Sequence, residues 1–338
     1  MNRYSRQLLF EPIGEAGQEK LLNSHVLIVG LGALGAVSAE MFARSGIGTM
    51  TILDRDYVEM SNLQRQPLYD TNDANEQLPK AIAAKKRLME INPTIKVNAI
   101  VEDVTADILK EHLDGVQMMI DGTDNFDIRM IMNDLSQKYN LPWIYGSCVG
   151  SYGLSYLIKP NETPCLHCVI EHIPLAAATC DTVGIIQPAA TQVALYQVTE
   201  AMKCLVGDHQ HIQTKLRTFD LWKNEQSTVD IKKLKRKHCP SCGPEATYPF
   251  LQSQKQTDLA VLCGRDTVQI RKKYDQELDL MTLSEKFKEN FFQVKVNEYL
   301  LSLQVDPYRI VLFRDGRALV HGTKDKMKAH TIYDRYFS

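Results

Sequence analysis

The sequence predicts an α/β fold with a mostly parallel central sheet and helices on both faces. Three observations indicate this fold. Short apolar segments alternate with helical ones from residue 25 to residue 158, the first apolar segment ends in glycines, and the pattern changes after Cys242. We therefore expect two domains, residues 1–248 and a small α+β domain of unknown role at residues 249–338.

Apolar runs and helix signals define the elements in order. In the first domain the predicted strands are 25–29, 50–53, 95–101, 116–120, 143–147 and 154–158, and the predicted helices are 33–45, 79–91, 106–112 and 126–139. Asn92-Pro93 closes the second of these helices. In the second domain the predicted strands are 260–262, 268–271, 298–303 and 309–313, with a turn into a further strand near 315–322 and helices at 283–290 and 324–336.

Composition excludes several classes of protein. The chain has 338 residues, 44% of them hydrophobic and 24% charged, which suffices for a sizeable core. The formal net charge of −2 provides no overall field for a polyphosphate backbone, so nucleic acid is not a favoured partner. Charges interrupt the N-terminal segment, and no apolar run approaches the roughly 18 residues needed to span a bilayer. We expect a cytoplasmic protein with no membrane partner.

A glycine motif predicts a phosphate site. Gly30, Gly32 and Gly35 form GxGxxG between a predicted strand and a predicted helix, where backbone N–H groups can approach phosphates. Asp54 and Asp56 follow about 20 residues later, at the end of the next strand, where a carboxylate can bind ribose hydroxyls. A glycine-rich packing turn is the structural alternative. The motif alone also fits NAD.

Residues beyond the motif favour ATP over NAD. The segment 61–66 contains Asn62, Arg65 and Gln66, and Lys80 follows in the next helix. Hydride transfer needs no such group of cations and amides. Adenylation does, because the carboxylate and the phosphates repel one another and charge builds up on phosphate oxygens. Asp124, after a further strand, offers a hard oxygen ligand for Mg²⁺, although an isolated Asp there would be interpreted as a helix cap.

Four of the eight cysteines form two CxxC pairs. Cys165 and Cys168 make the first pair, and Cys239 and Cys242 the second. Four thiolates are the expected ligands of a closed, tetrahedral structural Zn²⁺ site. Redox pairs and buried cysteines are the alternatives, and His167 is an alternative ligand to one of the cysteines. The long gap between the pairs predicts a clamp between distant segments and not a nucleic-acid-binding finger.

Several motifs together resemble the HesA/MoeB/ThiF family of ubiquitin-activating-enzyme-like adenylyltransferases. They are RYSRQLLF at 3–10, VGLGALG at 29–35, SNLQRQ at 61–66, the lysine at 80, DGTDN at 121–125 and the CxxC pairs. The resemblance covers about residues 3–245, in order and with plausible spacing.

The resemblance implies a Rossmann-like ATP-binding fold and assigns the site residues. It implies that ATP is held by the three glycines, the ribose by Asp54 or Asp56, and Mg²⁺ by Asp124. It implies that the phosphates are bound by Asn62, Arg65, Gln66 and Lys80. It also implies a homodimer in which Arg6 reaches the neighbouring subunit's site, whereas the sequence alone would leave Arg6 a solvated charge.

The resemblance further implies the substrate. The C-terminal Gly-Gly carboxylate of a ubiquitin-like sulfur-carrier protein would be adenylated, and a sulfur donor such as a cysteine desulfurase or a sulfurtransferase would then allow a thiocarboxylate to form. Two pathways use this chemistry, and we favoured the molybdopterin carrier over the thiamine thiazole carrier. Cys180, in a Gly- and Thr-containing connection, matches a family cysteine that can link covalently to the carrier but is dispensable in some members.

Three alternatives remain at the level of the sequence. A tRNA threonylcarbamoyladenosine dehydratase-like enzyme would share the ATP site and bind RNA. An NAD-dependent Rossmann oxidoreductase would bind its nucleotide without Mg²⁺. A non-catalytic docking scaffold would bind the carrier without releasing pyrophosphate.

Overall fold

The computed structural model describes most of the chain. The described residues are 3–170, 183–252, 259–261, 266–272, 277–289 and 293–337, with side chains left out at 259–261. The predictions made for Cys180 lie outside these residues. The chain divides into two compact units, Met1–Gln254 and Lys255–Ser338.

The first unit is built on an eight-stranded sheet. Its strands are β1 His25–Val29, β2 Thr49–Leu53, β3 Lys96–Ile100, β4 Met118–Asp121, β5 Trp143–Val149, β6 Tyr152–Ile158, β7 Leu216–Asp220 and β8 Glu225–Val229. They lie in the order β3-β2-β1-β4-β5-β6-β7-β8. The first five are parallel to one another, and β6, β7 and β8 are antiparallel to their neighbours. The predicted α/β fold is confirmed, while β7 and β8 were not predicted.

Helices cover the sheet of the first unit. They are α1 Ser5–Leu8, α2 Gly14–Leu22, α3 Ala33–Ser45, α4 Thr71–Glu76, α5 Lys80–Ile91, α6 Ala106–Glu111, α7 Phe126–Tyr139, α8 Leu166–Ile170, α9 Gln187–Val206 and α10 Pro249–Gln252. α3 and α7 have the predicted bounds. α4 was not predicted: Asp70 caps it and exchanges hydrogen bonds with Asp73. Within the described part of the chain, no helix is long and apolar enough to cross a membrane.

Strand β1 shows why helices pack on both faces. Successive side chains of a strand point to opposite faces of the sheet. Val26 and Ile28 join a core that contains Phe42 of α3. Leu27 and Val29 join a second core, on which α7 packs. A strand buried on both sides must be apolar throughout, which explains the continuous apolar run in the sequence.

The strand order places the candidate site. The chain passes from β1 through α3 to β2 on one side, whereas β4 pairs with β1 on the other side. In such sheets ligands bind beyond the carboxyl ends of the strands, at the point where the strand order reverses. The loops after β1, β2 and β4 start at this edge. They contain the glycine motif, Asp54 with Asp56, and Asp124.

The second unit is a six-stranded antiparallel sheet with two helices. Its elements are β9 Leu259–Val261, β10 Thr267–Arg271, α11 Leu280–Glu289, β11 Gln293–Val296, β12 Leu300–Val305, β13 Tyr308–Phe313, β14 Arg317–His321 and α12 Lys326–Phe337. The strands lie in the order β11-β12-β13-β14-β10-β9. Phe287 of α11 and Tyr333 of α12 pack into one apolar core with Leu301 and Ile310. β11 was not predicted.

Candidate nucleotide site and cysteine cluster

Two of the three motif glycines are required by close packing. Gly30 has a φ of +87°, and a Cβ atom there would lie 2.8 Å from the carbonyl group of Gly122. A Cβ atom at Gly35 would overlap the carbonyl oxygen of Gly30. The loop after β1 therefore packs against the first turn of α3 and against the loop after β4. Larger residues would push these segments apart.

Gly32 is different, because a Cβ atom there would make only ordinary van der Waals contacts. The nearest atom to a Cβ built there is 3.9 Å away, on Gly122, and the next is Nε2 of Gln66 at 4.0 Å. Gly32 is also the N-cap of the 13-residue helix α3 and gives it no side-chain cap. Uncapped N–H groups at a helix N-terminus, with the helix dipole, suit a phosphate. The space and the donors therefore fit a nucleotide.

Alanine substitutions should separate these two roles. We expect Gly32→Ala to leave the melting temperature unchanged and to raise the Kd for ATP by about tenfold or more, because a methyl group would fill the phosphate approach. Gly35→Ala should instead destabilise the fold by at least about 2 kcal/mol. Thermal unfolding and equilibrium nucleotide binding check both variants. Equal affinity of Gly32→Ala and wild type for ATP would exclude phosphate binding at this turn.

The carboxylates after β2 have distinct environments. Both oxygens of Asp54 accept backbone hydrogen bonds, from Leu31 N at 2.6 Å and from Asp56 N at 2.7 Å. Burial raises the pKa of Asp54, and Lys80 opposes that shift. Asp56 is partly exposed and lies 3.4 Å from Nζ of the buried Lys80. Asp54 thus organises the glycine loop, and Asp56 presents the more accessible carboxylate.

The predicted amide and cation segment is folded against the glycine loop. Asn62 is buried, and its Oδ1 accepts from Glu59 N at 3.0 Å in a capping box. Gln66 is also buried, and its Oε1 has no hydrogen-bond partner among the residues that the structure describes. A buried amide oxygen without a partner is costly unless a ligand or water satisfies it. Arg65 donates to Ser61 O at 2.8 Å and has no carboxylate partner among the described residues.

A buried ion pair holds the loop after β4. Arg129 Nε lies 2.9 Å from Oδ2 of the fully buried Asp121. Its Nη2 donates to Thr123 O at 2.6 Å and to Gly146 O at 3.0 Å. Burial raises the pKa of Asp121, and Arg129 opposes that shift. Asp124 follows in the same loop with its side chain exposed, so the pair fixes the backbone that presents it.

Electrostatics show that the loops after β2 and β4 converge. Burial would lower the pKa of Arg55, yet Asp103, Asp56 and Asp124 together raise it. Arg55 also forms an ion pair with Asp103 at 3.0 Å. Asp124 is thus close enough to act on a side chain that follows β2. The predicted Mg²⁺ ligand and the predicted ribose ligands share one neighbourhood.

Sequence reasoning missed three side chains that shape this site. Arg129 is described above. Gln197 of α9 donates to Asp121 O at 2.8 Å and to Ile144 O at 3.1 Å, which ties β4 to β5. Tyr69 donates its hydroxyl to Leu31 O at 2.8 Å. For Arg129 and Gln197 the available signal was a polar residue within a helix, since α7 and α9 bury residues on most of their circumference. Tyr69 lies between elements and offered no such signal.

Arg6 lies away from these loops in the sequence and is exposed on α1. The apolar residues that follow it are exposed too, Leu9 at 75% and Phe10 at 60%. Gln7 packs inward, donating to Gln18 Oε1 at 2.7 Å and to Ser45 O at 2.9 Å. The helix is therefore anchored on one side and exposes Arg6 on the other, and Leu9 and Phe10, just beyond its end, are exposed as well.

The two CxxC pairs meet in one cluster. The four Sγ atoms of Cys165, Cys168, Cys239 and Cys242 all lie within 4.8 Å of one another. Cys165 is 3.6 Å from Cys239 and 3.9 Å from Cys168, and Cys168 is 3.6 Å from Cys242. Four sulfurs around a tetrahedral Zn²⁺, each at ~2.3 Å, would be about 3.8 Å apart. The donor set and its spacing fit zinc.

Two side chains next to the cluster, His167 and Arg236, contact both cysteine pairs. His167 Nδ1 lies 2.9 Å from the Ser241 hydroxyl, so the ring links the two pairs, and His167 is not among the four residues whose ligand atoms form the cluster. Arg236 donates its backbone N–H to Cys168 Sγ at 3.4 Å, and its Nη2 lies 3.8 Å from Cys239 Sγ. A cation beside four thiolates offsets their excess negative charge.

Fold and loop geometry together define a nucleotide-binding α/β protein, to which a four-cysteine cluster is added. Residues 4–241 match the ThiF family. The chain belongs to the ThiF family, so the predicted family membership is confirmed. The match spans the glycine motif, the loop after β4, the first cysteine pair and Cys239, and Cys242 lies one residue beyond it.

Individual relatives extend this result beyond the family match. A sulfur carrier protein ThiS adenylyltransferase of Bacillus subtilis is 50% identical over 99% of this chain and 98% of its own length. A protein of the same description from Escherichia coli is 36% identical over 73% of this chain and 97% of its own length. The molybdopterin-synthase adenylyltransferase of Escherichia coli is 32% identical over 72% of this chain and 95% of its own length. The prediction of an adenylyltransferase is confirmed.

A solved structure supports the fold of the first unit. A crystal structure of Escherichia coli MccB with ATP superposes with a TM-score of 0.62. It is 23% identical and covers 72% of this chain and 75% of that chain. At this identity the likeness concerns the fold alone.

Proposed function

We propose that this enzyme uses ATP and Mg²⁺ to adenylate the C-terminal carboxylate of a ubiquitin-like sulfur carrier of the ThiS type. The observation that supports this most strongly is the 50% identity to a ThiS adenylyltransferase over 99% of the chain. A second relative of this description is 36% identical, and the molybdopterin-synthase relative is 32% identical. This similarity supports the thiamine thiazole carrier in place of the molybdopterin carrier favoured by the sequence.

The glycine loop and its surroundings would bind the nucleotide. The turn at Gly32 and the uncapped N-terminus of α3 suit the phosphates. Nε2 of Gln66, 4.0 Å from a Cβ atom built at Gly32, supplies a donor beside them. We assign the ribose to Asp56, because both oxygens of Asp54 already accept backbone hydrogen bonds. Asp54 then acts by holding the loop in place.

Cations would stabilise the transition state. The incoming carboxylate attacks the α-phosphorus, the bond to the bridging oxygen breaks, and pyrophosphate leaves with that electron pair. The carboxylate is already ionised near neutral pH, so no general base is needed. Arg65 and Lys80 would balance charge on the phosphate oxygens, and the buried Asn62 would orient the segment that presents Arg65. Asp124 would hold Mg²⁺, which neutralises phosphate charge when bound.

A homodimer would complete the site. Arg6 is exposed on α1, and Leu9 and Phe10 are exposed just beyond the end of this helix. Such apolar residues are typical of an interface core. In the dimer Arg6 would enter the neighbouring subunit's site and add a cation there. A sulfur donor, a cysteine desulfurase or a sulfurtransferase, would then act on the acyl-adenylate. The covalent role of Cys180 stays a prediction.

Pyrophosphate exchange with two carriers tests the proposal. We expect labelled pyrophosphate to exchange into ATP with Mg²⁺ and a ThiS-type carrier, and much more slowly with a molybdopterin-type carrier. Asp124→Ala and Arg65→Ala should each reduce exchange by about 100-fold or more, since each removes charge stabilisation of the transition state.

The outcomes of that assay are distinct. Pyrophosphate exchange with the molybdopterin-type carrier alone would assign the enzyme to molybdopterin synthesis and not to thiamine thiazole synthesis. No exchange with either carrier, in protein that still binds ATP, would contradict carrier activation.

A further inference from the structure

Helix α7 connects the cysteine cluster to the loop that carries Asp124. Its N-terminus is capped by Asn125, whose Oδ1 accepts from Asp127 N at 2.8 Å, and Asp124 comes directly before this cap. Arg129, in the second turn of the helix, holds Asp121 and Thr123. Any displacement of α7 would therefore move the backbone that presents Asp124.

The cysteine pairs are attached to the same helix about one turn further on. Asn133 is fully buried, and its Oδ1 accepts from Leu166 N, inside the first pair, at 2.7 Å. Asp134 is fully buried and accepts from Phe250 N at 2.9 Å. Ser241, inside the second pair, acts on this carboxyl and opposes the rise in its pKa that burial causes. The first pair is thus hydrogen-bonded to α7 through Asn133, and the second pair adjoins the next residue of the helix, Asp134, about 6 Å along the helix axis from Arg129.

We propose that Asn133 and Asp134 are positioning residues, through which the metal-loaded cysteine cluster holds α7 and so fixes the loop that presents Asp124. This inference rests on the proposed function in one respect, the assignment of Mg²⁺ to Asp124. A metal bound by all four cysteines would keep Leu166 and Ser241 in a fixed relation, and their contacts with Asn133 and Asp134 pass this constraint to the helix. Packed helices transmit such constraints because interiors have little free volume.

If the cysteines did no more than bind a metal, the cluster would only hold together the two segments that contain the pairs. Buried polar contacts extend its effect to α7, because an acceptor inside a protein is placed where its donor requires it. A merely local clamp would need no polar residues on α7, yet this helix buries two of them, Asn133 against the first pair and Asp134 against the segment that follows the second pair. The path from cluster to loop consists of hydrogen bonds and one rigid helix, with no flexible segment between them.

Hydrogen exchange of the loop tests the proposal in the zinc-loaded full chain, without ATP or carrier. We expect Asn133→Ala and Asp134→Ala each to keep one zinc per chain and to speed amide exchange at residues 121–125 by about tenfold, since each leaves a buried N–H without its acceptor. Asp134→Asn retains an acceptor oxygen and should restore slow exchange. Ser136→Ala is the matched control on the same helix, because the buried Ser136 hydroxyl has no hydrogen-bond partner.

The results divide cleanly. Faster loop exchange in both alanine variants, with normal exchange in Ser136→Ala and Asp134→Asn, supports the proposal. Wild-type exchange in the alanine variants, or equally fast exchange in Ser136→Ala, would overturn it. If Asp134→Ala does not fold, Asn133→Ala alone decides. Failure of carrier adenylation would leave these measurements unaffected, so the two proposals fail separately.

Discussion

Loss of the metal from the cysteine cluster should produce the largest change in stability. We expect the purified chain to contain one zinc, and Cys239→Ala to lose it and to lower the melting temperature by about 10 °C or more. Structural zinc supplies ~10 kcal/mol of apparent binding free energy or more in zinc-finger peptides. Even a third of that corresponds to this shift, because ~1 kcal/mol changes Tm by roughly 2–4 °C in units of this size. Metal analysis and calorimetry measure both effects.

Cys204→Ala is the matched control for that experiment. Cys204 lies on α9, outside the cluster, and burial raises the pKa of its thiol to about 11. Its replacement should leave the zinc content unchanged and lower the melting temperature only slightly. Acidification should release zinc from the wild-type protein, because protons compete with the metal for thiolates. A metal-free protein as stable as the loaded one would contradict a structural role.

Removal of Arg129 should be the most damaging single change around the nucleotide loop. Arg129→Met leaves the fully buried Asp121 without its cation, and breaking a buried ion pair in this way costs about 3–5 kcal/mol. Nucleotide binding should weaken too, because Arg129 also holds Thr123 O. Denaturant unfolding measures the loss. Arg44→Met is the control, since Arg44 forms an exposed ion pair with Glu40 at 2.7 Å worth about 0–1 kcal/mol.

The pH dependence of the Arg129→Met deficit gives a second check. The pKa of Asp121 in the folded protein lies above its ordinary value of 3.8, so the folded state binds a proton more readily than the unfolded state. Stability from this group therefore falls as the pH rises from 3.8 through the folded-state pKa. Without Arg129 that pKa rises further, and the deficit should shrink as the pH is lowered. A deficit independent of pH would show that the lost packing of Arg129 dominates.

The sequence predicted the parallel half of the first sheet well, for a physical reason. Strands such as β1 are buried on both faces and must be apolar throughout, so a short apolar run that ends in glycine has one interpretation. The exposed β8 has no buried face in the structure. Its residues show no apolar alternation, and its pairing with β7 depends on contacts that a sequence pattern does not contain.

The candidate site, like the sheet, was predicted from the sequence only in part. Motif residues such as Gly32 and Asp124 follow predicted strands, so topology alone brought them to one edge. The supporting residues Arg129 and Gln197 come from helices, and their partners are backbone groups distant in the sequence. Tertiary packing sets those pairings, and one sequence does not specify them locally. The polar residues inside the apolar helix α7 were the one visible hint.

The most direct test of carrier activation is the intact mass of the carrier after reaction. A ThiS-type carrier incubated with this enzyme, ATP and Mg²⁺ should gain the mass of one adenylyl group, and a carrier that lacks its last glycine should gain nothing. A carrier of unchanged mass, with ATP bound and the enzyme folded, would contradict adenylation of the carrier.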